Sequence, residues 1–239
     1  MDIIITILVL VVFSFIFLSP SKSVIKTTKA RAISDNNSEI QGIVSRLSKN
    51  ANLKEPNVYI IPSQQPNAFA FGYLPFNASI GLTEGLLKIL NRHELEGVVG
   101  HELAHIRNYD TLIHTTAAMV IGKPLKYIRT TVGACGIIAK LPIVIFTLLA
   151  SLIMKAFISR KREYEADKTG AIISNRPKEL ANALLKMQKH IEEERPLEVN
   201  EMISHMCILN PLSGRKTGEI FNTHPPVEKR IEKLKGMEL

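Results

Sequence analysis

The chain has 239 residues, with 30 Lys and Arg against 22 Asp and Glu, and a formal net charge of +8 at pH 7. Hydrophobic residues make up 46% of it, which excludes an intrinsically disordered chain, and two cysteines are too few for a disulfide-stabilised scaffold. The positive charge suits nucleic acid, an anionic membrane surface or simple solubility. No basic patch with interleaved aromatic residues accompanies it, so nucleic-acid binding is not expected.

The N-terminus is apolar and uncharged from residue 3 to residue 19, which is close to the shortest length of a membrane-spanning helix. A cleaved signal peptide is the alternative, but Asp2 precedes the run and no Lys or Arg does. Basic residues follow the run, beginning with Lys22 and Lys26. By the positive-inside rule, residues 1–20 are predicted to be an integral anchor in the cell membrane, with the functional part facing the cytoplasm.

An ordinary globular sequence comes next. Apolar residues at helical spacing predict a helix over 38–49, and short apolar runs predict strands at 57–61, 68–71 and 78–82. Thr83 has the position of a helix N-cap, and Asn91 with Glu94 has the spacing of a capping box for the next helix. Helices and a small sheet are therefore expected together.

The helix that follows Asn91 carries the pattern H-E-x-x-H in His101, Glu102 and His105. Residues four apart lie on the same face of a helix, so both imidazoles can reach one metal ion. Glu102 is then placed beside the open coordination position. Apolar neighbours indicate that the motif is buried, and buried polar side chains need partners, which a metal would supply.

A second apolar region runs from 111 to 158 and is interrupted by basic residues. We predict an antiparallel helical hairpin with its turn between Gly122 and Pro142; a buried soluble helix pair is the alternative. Glu163, a candidate ligand described below, follows this region. If it binds the same metal as His105, an even number of membrane crossings must separate the two residues. The chain therefore has one or three spans.

Two carboxylates follow the hairpin at i and i+4, Glu163 and Asp167. One of them can bind the metal, and the other can accept a hydrogen bond from a ligating imidazole. Spacing alone does not decide which. Further helices are predicted from Pro177, which suits a first helical turn, and over 227–234.

These motifs together resemble the M48 metallopeptidases, in the HtpX-like branch of bacteria and archaea. The stretches that carry the resemblance are 66–70, 83–87, 101–105, 160–167, 223–226 and 228–231. They extend over about residues 36 to 236. That branch usually has two N-terminal spans, whereas this sequence shows one.

The resemblance implies that three side chains bind one zinc ion per chain: His101, His105 and Glu163. It implies that Glu102 is the catalytic base, that Asp167 supports a ligand, and that His224 donates to the transition state. It also implies that a strand beside the active site is formed by Asn67, Ala68, Phe69 and Ala70. An extended peptide would pair with that strand by strand addition.

The predicted fold is α+β, mostly α with a small sheet: a zincin-like metalloprotease domain with a membrane anchor and an inserted apolar hairpin. The predicted divisions are an anchor (1–20), the first part of the catalytic domain (21–110), the hairpin (111–158) and the second part (159–239).

The predicted function is a membrane-anchored zinc endopeptidase that hydrolyses polypeptides, chiefly membrane proteins or chains close to the lipid bilayer, in protein quality control. A CAAX-type protease for prenylated peptides is one alternative. A non-enzymatic membrane scaffold that holds a metal is the other. Structural zinc sites usually close with four protein ligands, so three ligands beside a glutamate favour an enzyme.

Overall fold

The structure, a computed structural model, describes residues 20–33, 38–119, 144–145, 149, 159–193, 207–209 and 225–238. The helices in these ranges are α1 (Pro20–Thr28), α2 (Ser38–Asn50), α3 (Glu84–Ile89), α4 (Arg92–Arg107), α5 (Asp110–Ala117), α6 (Arg160–Ser174), α7 (Pro177–Glu193) and α8 (Val227–Lys235). The strands are β1 (Arg31–Ala32), β2 (Asn57–Ile61), β3 (Ala68–Phe71) and β4 (Ser79–Thr83). The prediction of a mostly helical chain with a small sheet is confirmed.

The strands form one mixed sheet in the order β1-β2-β4-β3. β2 and β4 pair in parallel, whereas β1 and β3 each pair antiparallel with their neighbour. Among the described strands, β3 therefore lies at the edge of the sheet and has β4 as its neighbour. The predicted strands at 57–61 and 68–71 are confirmed, and the third begins at Ser79 rather than at residue 78.

Two helix starts are fixed by the side chains that the sequence predicted. Thr83 caps α3 by accepting a hydrogen bond from the backbone N–H of Leu86. At α4, the Asn91 side chain accepts from the Glu94 N–H at 3.0 Å, and the Glu94 carboxylate accepts from the Asn91 N–H at 2.9 Å. Such caps typically stabilise a helix by about 1 kcal/mol each, so the register of α4 is set at its first turn.

α4 is the central helix of the described core. It is buried without interruption from Glu94 to Ile106, and it packs most extensively against α6. α2 and α7 cover it further, each through an apolar stripe, such as Ile43 and Leu47 in α2. Side chains of α4 between Glu94 and Ile106 are therefore shielded from water.

A second apolar cluster joins α1 to the edge strand. Val24 of α1 packs with Phe69 and Phe71 of β3, and with Ala118 and Met119, which follow α5. α1 begins where the N-terminal apolar run ends, and α5 lies at the start of the second run. The described residues next to the two runs thus meet at one side of the sheet.

The predicted anchor and hairpin fall mainly outside the described residues, apart from Pro20 in the first and 111–119, 144–145 and 149 in the second. Within the described ranges, no helix has both the length and the apolar character that a membrane crossing requires. The division into 1–20, 21–110, 111–158 and 159–239 stays a prediction.

Candidate metal centre and active site

Two histidines of α4 point at the same position in the core. His101 and His105 are four residues apart on one helix face, and their Nε2 atoms lie 3.1 Å from each other. Both rings are buried, His101 completely. Burial lowers the pKa of His101 and so favours its neutral form, which is the form that binds metals.

Glu163 joins this pair from α6. Its Oε2 lies 3.8 Å from His101 Nε2, and its Oε1 lies 3.8 Å from His105 Nε2. One ligand atom from each of the three residues lies within 4.8 Å of the others, and all three side chains are buried. The spacing argument left Glu163 and Asp167 as alternatives; the structure brings Glu163 to the Nε2 atoms.

The close contact between α4 and α6 depends on two glycines. A Cβ at Gly100 would lie 2.6 Å from the Gly170 carbonyl oxygen, and a Cβ at Gly170 would lie 2.6 Å from the His101 Cα. Both distances are too short for any side chain. The backbones therefore meet directly, one residue before the first histidine of the cluster, and this brings the Glu163 helix within reach.

Carboxylates hold the outer nitrogen of each histidine. His101 Nδ1 lies 3.0 Å from Asp167 Oδ1, and His105 Nδ1 lies 3.0 Å from Asp110 Oδ2. A proton on each Nδ1, shared with its carboxylate, leaves the lone pair of each Nε2 directed at the cluster. Asp167 thus occupies the supporting position that the resemblance implies.

The donor set fits a zinc ion. A tetrahedral zinc with bonds of about 2.0–2.1 Å separates two ligand nitrogens by about 3.3 Å, and the Nε2 atoms here are 3.1 Å apart. Two imidazoles and one carboxylate match the ligand type of catalytic zinc sites, which keep one coordination position open. Burial lowers the pKa of His105, but the neighbouring carboxylates outweigh it and raise that pKa to about 9, so its Nε2 would lose a proton when a metal binds. The buried carboxylates also supply the negative charge that a dication requires.

A buried arginine supports the His101 side of the cluster. Arg230 of α8 donates from Nε and Nη2 to the two oxygens of Asp167, at 2.8 and 2.7 Å, and is 0% exposed. Burial alone raises the pKa of Asp167, but the charge of Arg230 and the hydrogen bonds from His101 and Arg230 outweigh it and lower that pKa to about 2. Asp167 is therefore ionised at all physiological pH values.

The His105 side is supported differently. Asp110, the first residue of α5, is 1% exposed and forms an ion pair with Arg162, whose side chain is 39% exposed. Burial raises the pKa of Asp110, but hydrogen bonds from His105 and Arg162 outweigh it and lower that pKa. Since Arg162 precedes Glu163 on α6, this ion pair links the two ligand-bearing parts of the chain.

Glu102 lies between the cluster and the edge strand. It is 1% exposed, and burial raises its pKa to about 7 against the opposing charge of His105 and a backbone hydrogen bond from Ala70. A nearby dication would lower this pKa again by favouring the carboxylate. The ionised carboxylate that results can accept a proton, as a general base must.

The edge of β3 opposite β4 already has a partner in the described structure. The Ile208 N–H donates to the Ala68 carbonyl at 3.0 Å, and the Asn67 side chain donates to the Leu209 carbonyl at 3.1 Å. Arg230 Nη1 donates to the Ile208 carbonyl at 2.8 Å. Residues 207–209 therefore lie along the strand that was predicted to bind substrate.

Comparison with known proteins agrees with this geometry. A family profile described as Peptidase family M48 matches residues 34–238. The chain belongs to peptidase family M48. It is 42% identical over 230 residues to a Protease HtpX homolog of Desulfatibacillum aliphaticivorans, covering 90% of this chain and 74% of the relative. It is 43% identical over 226 residues to another of Pyrococcus abyssi, covering 88% and 77%.

A solved structure of this fold is also similar. The crystal structure of S. mikatae Ste24p matches with a TM-score of 0.56 and 16% sequence identity. The match covers 97% of this chain, which spans 57% of the length of Ste24p. The fold is thus that of an M48 peptidase, and the predictions of family, of a metal-dependent peptidase and of polypeptide substrates are confirmed.

The predicted site residues of this M48 peptidase have different outcomes. The structure brings together His101, His105, Glu163, Glu102 and Asp167. The predicted substrate strand, Asn67, Ala68, Phe69 and Ala70, lies beside Glu102 through Ala70. His224 lies outside the described residues, and its role stays a prediction.

Sequence reasoning missed the supports of this M48 site. Asp110 had a usable signal, since it is an acidic residue five positions after His105 and the first residue of the next helix. Arg230 lies in a stretch that carried the family resemblance, but nothing in the sequence indicated its partner. Gly100 gave no signal, because its contact with Gly170 exists only in the folded chain.

Proposed function

We propose that this M48 peptidase is a zinc endopeptidase anchored in the cell membrane, with its catalytic domain facing the cytoplasm, and that it degrades membrane proteins or chains close to the bilayer as part of quality control. One observation carries the catalytic part of the proposal. Three buried metal-binding side chains from two separate helices converge on one point, with Glu102 next to them.

His101, His105 and Glu163 would hold the zinc ion through two Nε2 atoms and a carboxylate oxygen. A bound zinc ion supplies a Lewis acid that acidifies water and polarises the peptide carbonyl. Asp167 and Asp110 keep the protons of the two imidazoles on Nδ1. They thereby keep both Nε2 lone pairs available for metal binding.

Glu102 is the proposed general base. It takes a proton from the attacking water and passes this proton to the nitrogen that leaves when the peptide bond breaks. Its buried position beside His105 and Ala70 excludes bulk water from the transfer. His224 is proposed as a donor to the oxyanion, in line with the family resemblance.

The substrate is proposed to bind in an extended conformation along β3. All four residues of this strand pair with β4, and the Ala68 carbonyl also accepts from the Ile208 N–H on the other side. Because backbone groups alternate in direction along an antiparallel strand, those of Ala68 and Ala70 face away from β4. Backbone pairing on this edge reads few side chains, which predicts broad sequence specificity. A substrate that binds at Ala68 must replace the Ile208 N–H.

The membrane part of the proposal rests on the apolar runs at 3–19 and 111–158 and on the basic residues that follow the first. Of the two alternatives, the CAAX-type protease has only fold similarity at 16% identity to Ste24p in its favour. The relatives at about 40% identity are named as HtpX proteases. The scaffold alternative conflicts with the confirmed peptidase family.

The test is a comparison of Glu102→Ala with the wild-type protein, purified at full length in detergent. We expect Glu102→Ala to retain one zinc ion per chain by elemental analysis. Its cleavage of casein should fall by a factor of about 10² to 10⁴, because the general base is lost while the ligands remain. Chelation should abolish wild-type cleavage, and added zinc should restore it.

Glu165→Ala is the matched control, since Glu165 is an exposed carboxylate on the same helix as Glu163. This variant should bind zinc and cleave casein as the wild type does. Wild-type cleavage rates in Glu102→Ala would exclude the proposed role of Glu102. Loss of zinc from Glu102→Ala would instead mean that this carboxylate belongs to the ligand set.

A further inference from the structure

The loop that follows β3, residues 72–77, exposes two apolar side chains. Phe76 is 62% exposed and Leu74 is 38% exposed. Burial of a phenylalanine side chain is favourable, so this loop leaves appreciable apolar surface in water. Isolated exposed apolar residues are common on proteins. The surroundings of the loop therefore decide whether it is a binding surface.

The loop is held in a closed conformation. Gly72 has a φ of 123°, and a Cβ there would lie 2.9 Å from the Asn77 carbonyl oxygen. The Leu74 N–H donates to Asn77 Oδ1, and the Asn77 N–H donates to the Leu74 carbonyl, both at 3.0 Å. These bonds fix the backbone that carries Phe76, so its exposure is built into the fold.

The same loop is attached to the helix that leads into the second apolar run. Thr115 Oγ1 of α5 accepts from the Gly72 N–H at 3.0 Å and donates to the Gly72 carbonyl at 3.2 Å. One helical turn later, Ala118 and Met119 pack with Val24 of α1 in the second apolar cluster. The loop thus lies beside the described ends of both apolar runs.

Positive charge is carried by α1, whose Val24 belongs to the same apolar cluster as Phe71, the residue before the loop. Lys22 and Lys26 are exposed on the face of α1 opposite Val24. Lysine side chains close to an anionic bilayer are attracted to its headgroups and strengthen binding. Apolar side chains on a rigid loop together with exposed basic residues match the chemistry of a lipid headgroup interface.

We propose that the 72–77 loop inserts Leu74 and Phe76 into the interface of an anionic lipid bilayer. This inference rests on the proposed membrane anchoring and adds a second, independent contact to it. Because Gly72 lies only two residues after Ala70, the loop would hold the substrate strand close to the membrane surface. Substrate chains emerging from the bilayer would then meet β3 first.

The test uses the absence of tryptophan from the chain. Phe76→Trp creates a single fluorophore in the full-length protein, which is reconstituted in vesicles of phosphatidylcholine and phosphatidylglycerol with or without brominated acyl chains. A tryptophan at interfacial depth lies about 5–10 Å into the headgroup region. We expect its emission to shift to the blue and to be quenched about twofold by brominated lipid.

Leu185→Trp and Ile172→Trp are matched controls, since these apolar residues of α7 and α6 are 50% and 54% exposed. Neither should be quenched. Equal quenching of Phe76→Trp and the controls would overturn the inference. A blue shift without quenching would also overturn it, because it would mean that the loop packs against protein.

Two further measurements separate this inference from the proposed function. Failure of the wild-type protein to float with vesicles would overturn both the anchoring and the loop contact. Flotation with an unquenched Phe76→Trp would overturn the loop contact alone. Casein cleavage by Phe76→Trp reports separately on the peptidase, because residue 76 is not part of the catalytic cluster.

Discussion

The two sides of the proposed metal centre are built in different ways. On the His101 side, Asp167 is bonded by an arginine that is 0% exposed and comes from the last described helix. On the His105 side, Asp110 comes from the adjacent helix and is paired with Arg162, which is 39% exposed. Both carboxylates lie 3.0 Å from their imidazoles, so the two sides differ in the arginine that pairs with each carboxylate.

A residue that positions a metal ligand therefore need not also stabilise the fold. Removing one member of a fully buried ion pair leaves the other charge without a partner and without water. A partly exposed arginine that loses its partner can instead be hydrated, so that loss costs little. The His101 side should therefore control folding. The His105 side should control metal affinity with little effect on folding.

The largest effect on this comparison is expected from Arg230→Met. This change leaves Asp167 buried without its partner and should lower the free energy of unfolding by about 3–5 kcal/mol. The measurement is urea unfolding of the purified protein in chelator. Lys229→Met, at an exposed neighbour on α8, is the control and should change stability little. Equal stability of the two variants would mean that the buried pair of Arg230 and Asp167 does not control folding.

A smaller effect is expected from Asp110→Asn. The amide keeps the shape but holds the His105 proton less firmly, and zinc affinity should fall about 10- to 100-fold. Competition with a chromogenic chelator measures this. Stability in chelator should stay within about 1 kcal/mol, because Arg162 can turn to water. If Asp110→Asn unfolds as readily as Arg230→Met, the two sides are not distinct.

The smallest effect is expected from Arg162→Ala. Arg162 is partly exposed and Asp110 keeps its contact with His105, so loss of this ion pair should cost at most about 1 kcal/mol, which corresponds to a loss of zinc affinity of no more than about fivefold. The same chelator competition applies, with Lys161→Ala, an exposed neighbour, as the control. A larger loss than that of Asp110→Asn would mean that Arg162 acts on Glu163 directly.

Local features of this fold could be predicted from the sequence. The capping box of Asn91 and Glu94 and the N-cap at Thr83 involve atoms within three residues, so spacing alone identifies them. The histidines of α4 are likewise a matter of helical spacing. Glu163 needed the family resemblance, because nothing local distinguishes it from Asp167.

Features that depend on distant contacts could not be predicted. Arg230 and Asp167 are brought together only by the packing of α8 on α6. Residues 207–209 belong to a short apolar run, but nothing in that run indicates that Ile208 bonds to the edge of β3. In both cases the partner is chosen by tertiary structure, which hydrophobic periodicity does not report.

The helix crossing at Gly100 and Gly170 has a consequence for how this enzyme can change. A single added methyl group at either position would force α4 and α6 apart, and a misplacement of about 1 Å at a catalytic centre can cost about 10²-fold in rate. The proposed active site therefore depends on the missing side chains of Gly100 and Gly170 as well as on its ligands. Alanine at either position should therefore inactivate the protease without changing any of its reactive groups.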